Sequence, residues 1–159
     1  MRLRRVEEDD VDRLATLYEE SIEAEGPEHY DDAQVRAWAS FASRDDAFRA
    51  FVLEPHTLVA EDDSGIVGFA GLRTDGHLAS LFVRADRVRT GVGTTLLQAL
   101  LEHGEMEGIE TFRTEASEMS RGLFERFGFQ LDSVEVVERD GETVPRYRLV
   151  LDRNPGMGT

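Results

Sequence analysis

The chain has 159 residues, a formal net charge of -15 and no cysteine, a length that suits one domain with a sizeable core. The missing cysteine excludes disulfide frameworks, thiolate nucleophiles and Cys-type zinc sites, and no metal is expected. All 18 basic residues are arginine, against 33 acidic ones, a balance that repels nucleic acid and anionic membrane surfaces.

Excess Asp and Glu without any lysine reads as adaptation to high salt, where ions screen the self-repulsion over short distances. No run approaches the roughly 20 apolar residues of a membrane span. The N-terminal MRLRRVEEDD has charge but no apolar core of a secretory signal, so a cytoplasmic protein is expected.

In chain order, Leu3 to Val6 suits a short strand. Asp9 or Asp10 then caps a helix whose apolar residues Val11, Leu14, Leu17, Tyr18 and Ile22 recur every three to four positions, and Gly26-Pro27 ends it. A second helical pattern starts at Asp32 with Val35, Trp38 and Phe41, and resumes with Phe48 and Phe51 after an acidic break. Thr57–Asp62, Gly65–Arg73 and His77–Arg84 read as strands joined by turns at Asp63-Ser64-Gly65 and Asp75-Gly76, an antiparallel meander. A glycine-bearing loop leads into a helix with Leu96, Leu97, Leu100 and Leu101 on its buried side, stopped by Gly104 or Gly108. Ile109–Ala116 is the next strand, parallel to the one before that helix. Ser117 caps a short helix carrying Met119, Leu123, Phe124 and Phe127, closed by Gly128. A last hairpin, Leu131–Glu138 with Thr143–Leu151, turns at Asp140-Gly141. The whole is a mixed-sheet α/β domain over residues 1–153, with 154–159 expected as a disordered tail.

The loop "RADRVRTGVGTTLLQALL", Arg84 to Leu101, carries the first chemical signal. A helix start leaves backbone N–H groups unpaired at the positive end of the dipole. Gly91 and Gly93 let those groups approach a ligand, and Arg84, Arg87 and Arg89 add positive charge on an acidic chain. Phosphate is the ligand such a site favours. A Walker loop needs a lysine, which is absent. A Rossmann fingerprint needs a third glycine where Leu96 stands, although Glu110 and Glu115 lie near the spacing of a ribose-binding acid.

The stretch "SLFVRADRVRTGVGTTLLQALLEHGEMEGIETFRTEASEMSRGLFERFGF" resembles the coenzyme-A-binding core of the GNAT (GCN5-related N-acetyltransferase) superfamily, small bacterial and archaeal branch. Its pattern is an apolar-apolar-Val strand end, a Gly-x-Gly helix start, a strand, and a helix ending in a form of "FYE-x-x-GF". "QVRAWA" and "VERDGE" are similar to the same branch. The resemblance implies acetyl-CoA as cosubstrate and a small-molecule or peptide amine as acceptor, with a possible homodimer. It also implies that Leu81, Phe82 and Val83 offer backbone groups to the pantetheine arm. Backbone N–H groups of Arg89, Thr90, Gly91, Val92, Gly93 and Thr94 would cradle the pyrophosphate, and Ser117, Ser120 and Phe124 would line the other side. Val88 stands where the family usually has Gln or Arg, with Arg87 or Arg89 as a substitute. Phe124 replaces the tyrosine that protonates the leaving thiolate in many members.

Acetyl transfer needs a base near the amine and an N–H donor near the carbonyl, here expected around Leu81–Val83. His77 opens one strand of the cofactor gap and Glu115 closes the other, so both are candidate catalytic groups. A solvated turn would equally explain His77. The branch often has an acid where Ala79 stands. Tyr147 in the last hairpin is a third candidate, and Trp38 reads as a core anchor or as a wall of the acceptor pocket. A non-catalytic acyl-CoA-binding or partner-binding module is the alternative reading, with a Rossmann-type nucleotide site behind it.

Overall fold

The computed structural model describes residues 1–28, 30–139 and 141–153. Strands β1 (Arg2–Arg5), β2 (His56–Asp62), β3 (Gly65–Leu72) and β4 (Leu78–Val83) form an antiparallel sheet in that order. A second antiparallel sheet has β5 (Thr111–Ala116), β7 (Glu142–Asp152) and β6 (Gln130–Arg139), with β7 central. The meander and the closing hairpin lie where the sequence pattern puts them. Asp140 of the expected hairpin turn and the expected tail 154–159 lie outside the described residues.

Alternation along the strands sends their side chains to two layers. Val59 and Phe69 pack under α1 (Val11–Glu25), α2 (Asp32–Ala39) and α3 (Asp45–Leu53). Ala60 and Ala70 face α4 (Val92–Met106) and α5 (Arg121–Arg126). Leu96, Leu97, Leu100 and Leu101 of α4 are all essentially inaccessible, each worth about 1.5–3 kcal/mol on burial.

Three details depart from the sequence reading. The pattern from Asp32 to Phe51 forms two helices, with a 3-10 turn at Ser40–Ser43 between them. Gly104 lies inside α4, close against Phe112, while Gly108 ends the helix at φ +87 with the Ile109 N–H returning to the Gly104 carbonyl at 2.8 Å. Ser120, not Ser117, is the N-cap residue of α5. Ser117 acts one turn earlier, its hydroxyl accepting the Ser120 N–H at 3.2 Å.

The strands flanking α4 run parallel, as read, but barely pair. β4 and β5 belong to different sheets and share a single parallel bridge, His77 with Arg113. An adjacent pair of fully laddered parallel strands, which a Rossmann site requires, is absent among the described residues.

Candidate active site

The gap between β4 and β5 begins with a bulge. Leu78 pairs with Leu72 and Ser80 with Gly71, so Ala79 is the extra residue on β4, and such an insertion bends a strand and breaks its pairing. Below the bulge one stitch joins the strands, the Thr114 hydroxyl donating to the Leu78 carbonyl at 3.0 Å. Above it no strand among the described residues pairs the outer edge of β4. The Arg84 N–H donates to the Val67 carbonyl on β3 at 2.8 Å. Antiparallel alternation then turns the Phe82 amide toward β3 and leaves the N–H groups of Leu81 and Val83 on the open side. A cleft of about 730 Å³ fills the opening.

At one end of this cleft α4 starts. Gly91 adopts φ +94 and its carbonyl takes the first helical bond, from the Thr95 N–H at 3.0 Å. The N–H groups of Val92, Gly93 and Thr94 therefore precede the ladder and carry the positive end of the dipole. Arg89 sits at φ +61, a conformation uncommon for a residue with a Cβ. A Cβ on Gly93 would come within 3.0 Å of a Leu123 methyl. Thr90 is exposed, its hydroxyl donating to the Arg87 carbonyl within the loop.

The arginines of the loop divide. Arg84 bonds Asp86 at 2.6 Å and Ser64 at 2.9 Å, and Arg87 pairs with Asp62 at 3.2 Å. Bonds from Ser64, and then Arg87, hold the Asp62 carboxyl low, at about 2. These two arginines brace the loop rather than line the cleft. Arg89 lines it, joined by Arg126 from the end of α5, a residue that no loop motif could have indicated.

Deeper in the cleft His77 and Glu115 meet, Nε2 to Oε1 at 2.9 Å. The bond from His77, helped by Arg146 and Arg148, keeps the half-buried Glu115 carboxyl below the usual carboxylate range, against the effect of burial. An ionised carboxylate only accepts, so Nε2 carries the proton and Nδ1 is left as the basic atom of the ring. The His77 N–H is fixed by Asp75 at 3.1 Å. Ser117 and Ser120 also line the cleft and bond each other at 3.2 Å.

Residues 27–151 match the family profile described as an acetyltransferase (GNAT) domain. The chain belongs to the GNAT acetyltransferase family. It is an acyltransferase of mixed α/β fold. Among solved structures, a GCN5-related N-acetyltransferase from Rhodopseudomonas palustris, described also as a class-II aminotransferase, shares 29% identity at TM-score 0.91, covering 95% of this chain and 94% of that one. The PaiA N-acetyltransferase of Thermoplasma acidophilum, solved with coenzyme A, is 17% identical at TM-score 0.74 over 95% and 98%. An aminoglycoside 6'-N-acetyltransferase, also complexed with coenzyme A, is 17% identical at TM-score 0.66 over 96% and 97%. The last two show likeness of fold alone. The curated proteins contain no match.

For a GNAT chain two positions stand out. Phe124, at the family's tyrosine position, borders the cleft but is 2% exposed and meets Phe129 edge-on at 5.3 Å. Tyr147 is not among the residues lining the cleft. Its hydroxyl donates to Glu118 and the Arg121 guanidinium lies 4.2 Å over its ring, because strand alternation turns it toward α5. Trp38 combines both readings offered for it, lining the cleft while meeting the buried Tyr30 edge-on at 5.5 Å. Tyr30 in turn accepts the Glu118 N–H at 2.8 Å, tying α2's approach to the segment before α5.

Proposed function

We propose that this GNAT protein transfers an acetyl group from acetyl-CoA to a primary amine by direct attack. One observation carries the reading: a single cleft joins the unpaired N–H row of α4 to the His77–Glu115 pair, through a gap edged by free amides of β4. The fit is chemical. The α4 start and Arg89 suit a pyrophosphate, and the Leu81 and Val83 edge suits an amide-bearing arm. Leu81, Phe82, Val83, Arg89 to Thr94, Ser117, Ser120 and Phe124 are the residues assigned to acetyl-CoA.

In this reading His77 accepts the amine proton at Nδ1, directly or through water, while Glu115 fixes the tautomer. A β4 N–H steadies the carbonyl oxygen as the C–N bond forms and the C–S bond breaks. The departing thiolate takes its proton from solvent or from the cationic nitrogen of the tetrahedral adduct, since Phe124 offers none and the Tyr147 hydroxyl is bonded to Glu118. With no cysteine in the chain, no acetyl-thiol enzyme forms.

Release of free thiol from acetyl-CoA, measured with a panel of amines, tests the reaction. Thiol release that no amine accelerates, beside intact acetyl-CoA binding, would favour the acyl-CoA-binding module instead. Gly93→Asp places a like charge among the phosphate-facing N–H groups. Its calorimetric affinity for acetyl-CoA should fall at least about tenfold, and an unchanged affinity would remove the site from α4.

The acidic, lysine-free composition supports a salt-rich cytoplasm as the working environment. Among the described residues no helix is long and apolar enough to cross a membrane. Exposed Leu131, Val134 and Val136 on the outer strand β6 support a homodimer, which sedimentation would detect.

A further inference from the structure

The acyl donor accounts for only part of the cleft. Five arginines and three glutamates line it, with no aspartate, so this surface is cationic on a chain of net charge -15. Arg89 and Arg126 belong to the phosphate end. Arg44 before α3, Arg73 just after β3 and Arg146 within β7 lie on elements that carry none of the phosphate-side residues. Arg146 is held by Glu135. Arg73 is different: among the described residues its ion pairing is limited to Glu54 at 3.8 Å, beyond hydrogen-bond reach, on a side chain 40% exposed.

Arg73 also stands beside the base. Its N–H donates to the His77 carbonyl at 2.8 Å across the neck of the β3–β4 hairpin, and both side chains line the cleft. A guanidinium held only by that long ion pair, next to a proton acceptor, matches a molecule with a carboxylate next to its amine.

The remaining wall is aromatic. Tyr18, Phe41, Phe51 and Phe82 border the cleft, with ring centroids 5.8 Å apart for Tyr18–Phe41, 5.3 Å for Phe41–Phe51 and 6.4 Å for Phe51–Phe82. Such a wall takes an apolar side chain. A polycationic amine would meet the arginines as a like charge and lose its hydration against the rings.

We propose that the acceptor is an aminocarboxylate with an apolar side chain, of the amino-acid class, its carboxylate on Arg73 and its side chain on the aromatic wall. This inference rests on the acetyl-transfer reading above and assigns the substrate class of the same site.

The test follows thiol release from acetyl-CoA with phenylalanine, phenethylamine, phenylalaninamide, O-phosphoethanolamine and spermidine as acceptors. The kcat/KM for phenylalanine should exceed that for phenethylamine and the amide by about tenfold or more, the scale of one charge-assisted pair. Arg73→Gln should bring that ratio toward one through KM, and Arg73→Lys should keep part of it. Melting curves check that these half-exposed substitutions leave the fold intact. Phenethylamine, the amide or spermidine serving as well as phenylalanine would overturn the carboxylate assignment. O-phosphoethanolamine serving best would overturn it in favour of phosphate. Calorimetry with phenylalanine and phenethylamine on the coenzyme A complex reads the same preference without turnover, and equal affinities would overturn the acceptor class alone. Failure of acetyl-CoA itself to bind would instead sink the acetyl-transfer reading.

Discussion

At the scale of single residues, the contact of His77 with Glu115 is the most consequential. His77→Gln should lower kcat by about 10²-fold or more, the usual weight of a positioned base, and leave acetyl-CoA affinity unchanged by calorimetry. Glu115→Gln removes the charge that fixes the tautomer and should lower kcat by a smaller factor, with a shifted pH profile that a merely structural residue would not produce. Loss of acetyl-CoA affinity in either variant would place the pair in the wrong half of the cleft. Phe124 and Tyr147 set the alkaline side. The rate at saturating acetyl-CoA should rise with pH and show no falling limb at or above about pH 10, where an ordinary tyrosine titrates and above which the bond to Glu118 holds the Tyr147 phenol. Tyr147→Phe should reproduce that profile, and an alkaline limb present only in wild type would show that the phenol does protonate the thiolate. The sequence already suggested His77 and Glu115 as residues at the mouths of neighbouring strands. It gave no sign of Arg73 or Arg126, since nothing in their local pattern separates them from any exposed strand or helix residue.

At the scale of elements, β2 and α4 meet through two imidazoles. His56 and His103 stack with centroids 3.7 Å apart and planes 3° from parallel. Burial first, then Arg5 and His103, lowers the His56 pKa to about 4. The unfolded chain, with histidine near 6.5, therefore takes up a proton over a range in which the folded one does not. Stability is fully present above about pH 6.5 and falls as pH drops toward about 4. Melting curves across that range should show the decline, and His56→Gln should flatten it. An equally steep decline in the variant would trace the acid sensitivity to carboxylates such as Glu115, whose depressed pKa acts in the same direction at lower pH. Elements with strong periodicity were legible: the α4 leucines and the β2–β3–β4 meander lie as read. The parallel direction of β4 and β5 was legible too, but the place where their pairing breaks was not, because a one-residue bulge at Ala79 has no signature in an alternating strand. The hydrogen bonds between Ser117 and Ser120 likewise depend on where β5 delivers the chain.

At the scale of the molecule, charge dominates. Thirty-three carboxylates against 18 arginines repel one another in dilute buffer, and the exposed pairs such as Arg113–Asp75 and Arg121–Glu125 offset little of it. The melting temperature should climb from low ionic strength to molar KCl as screening shortens to about 3 Å. A flat dependence would sink the high-salt adaptation and leave the enzyme reading untouched. This global property was fully visible in composition, whereas the cationic cleft within it depends on which arginines the fold leaves unspent.

The stitch from Thr114 to Leu78 makes the outer edge of β4 a recorder of occupancy. In deuterium oxide, the amides of Phe82 and Arg84 are locked in the sheet and should exchange slowly, while those of Leu81 and Val83, one residue away, should exchange quickly. Acetyl-CoA should slow only the second pair, turning a fast–slow alternation along four residues into uniform protection. Mass spectrometry with residue-level fragmentation would read that change without any acceptor present. Uniform protection before ligand is added would mean that the edge is already closed.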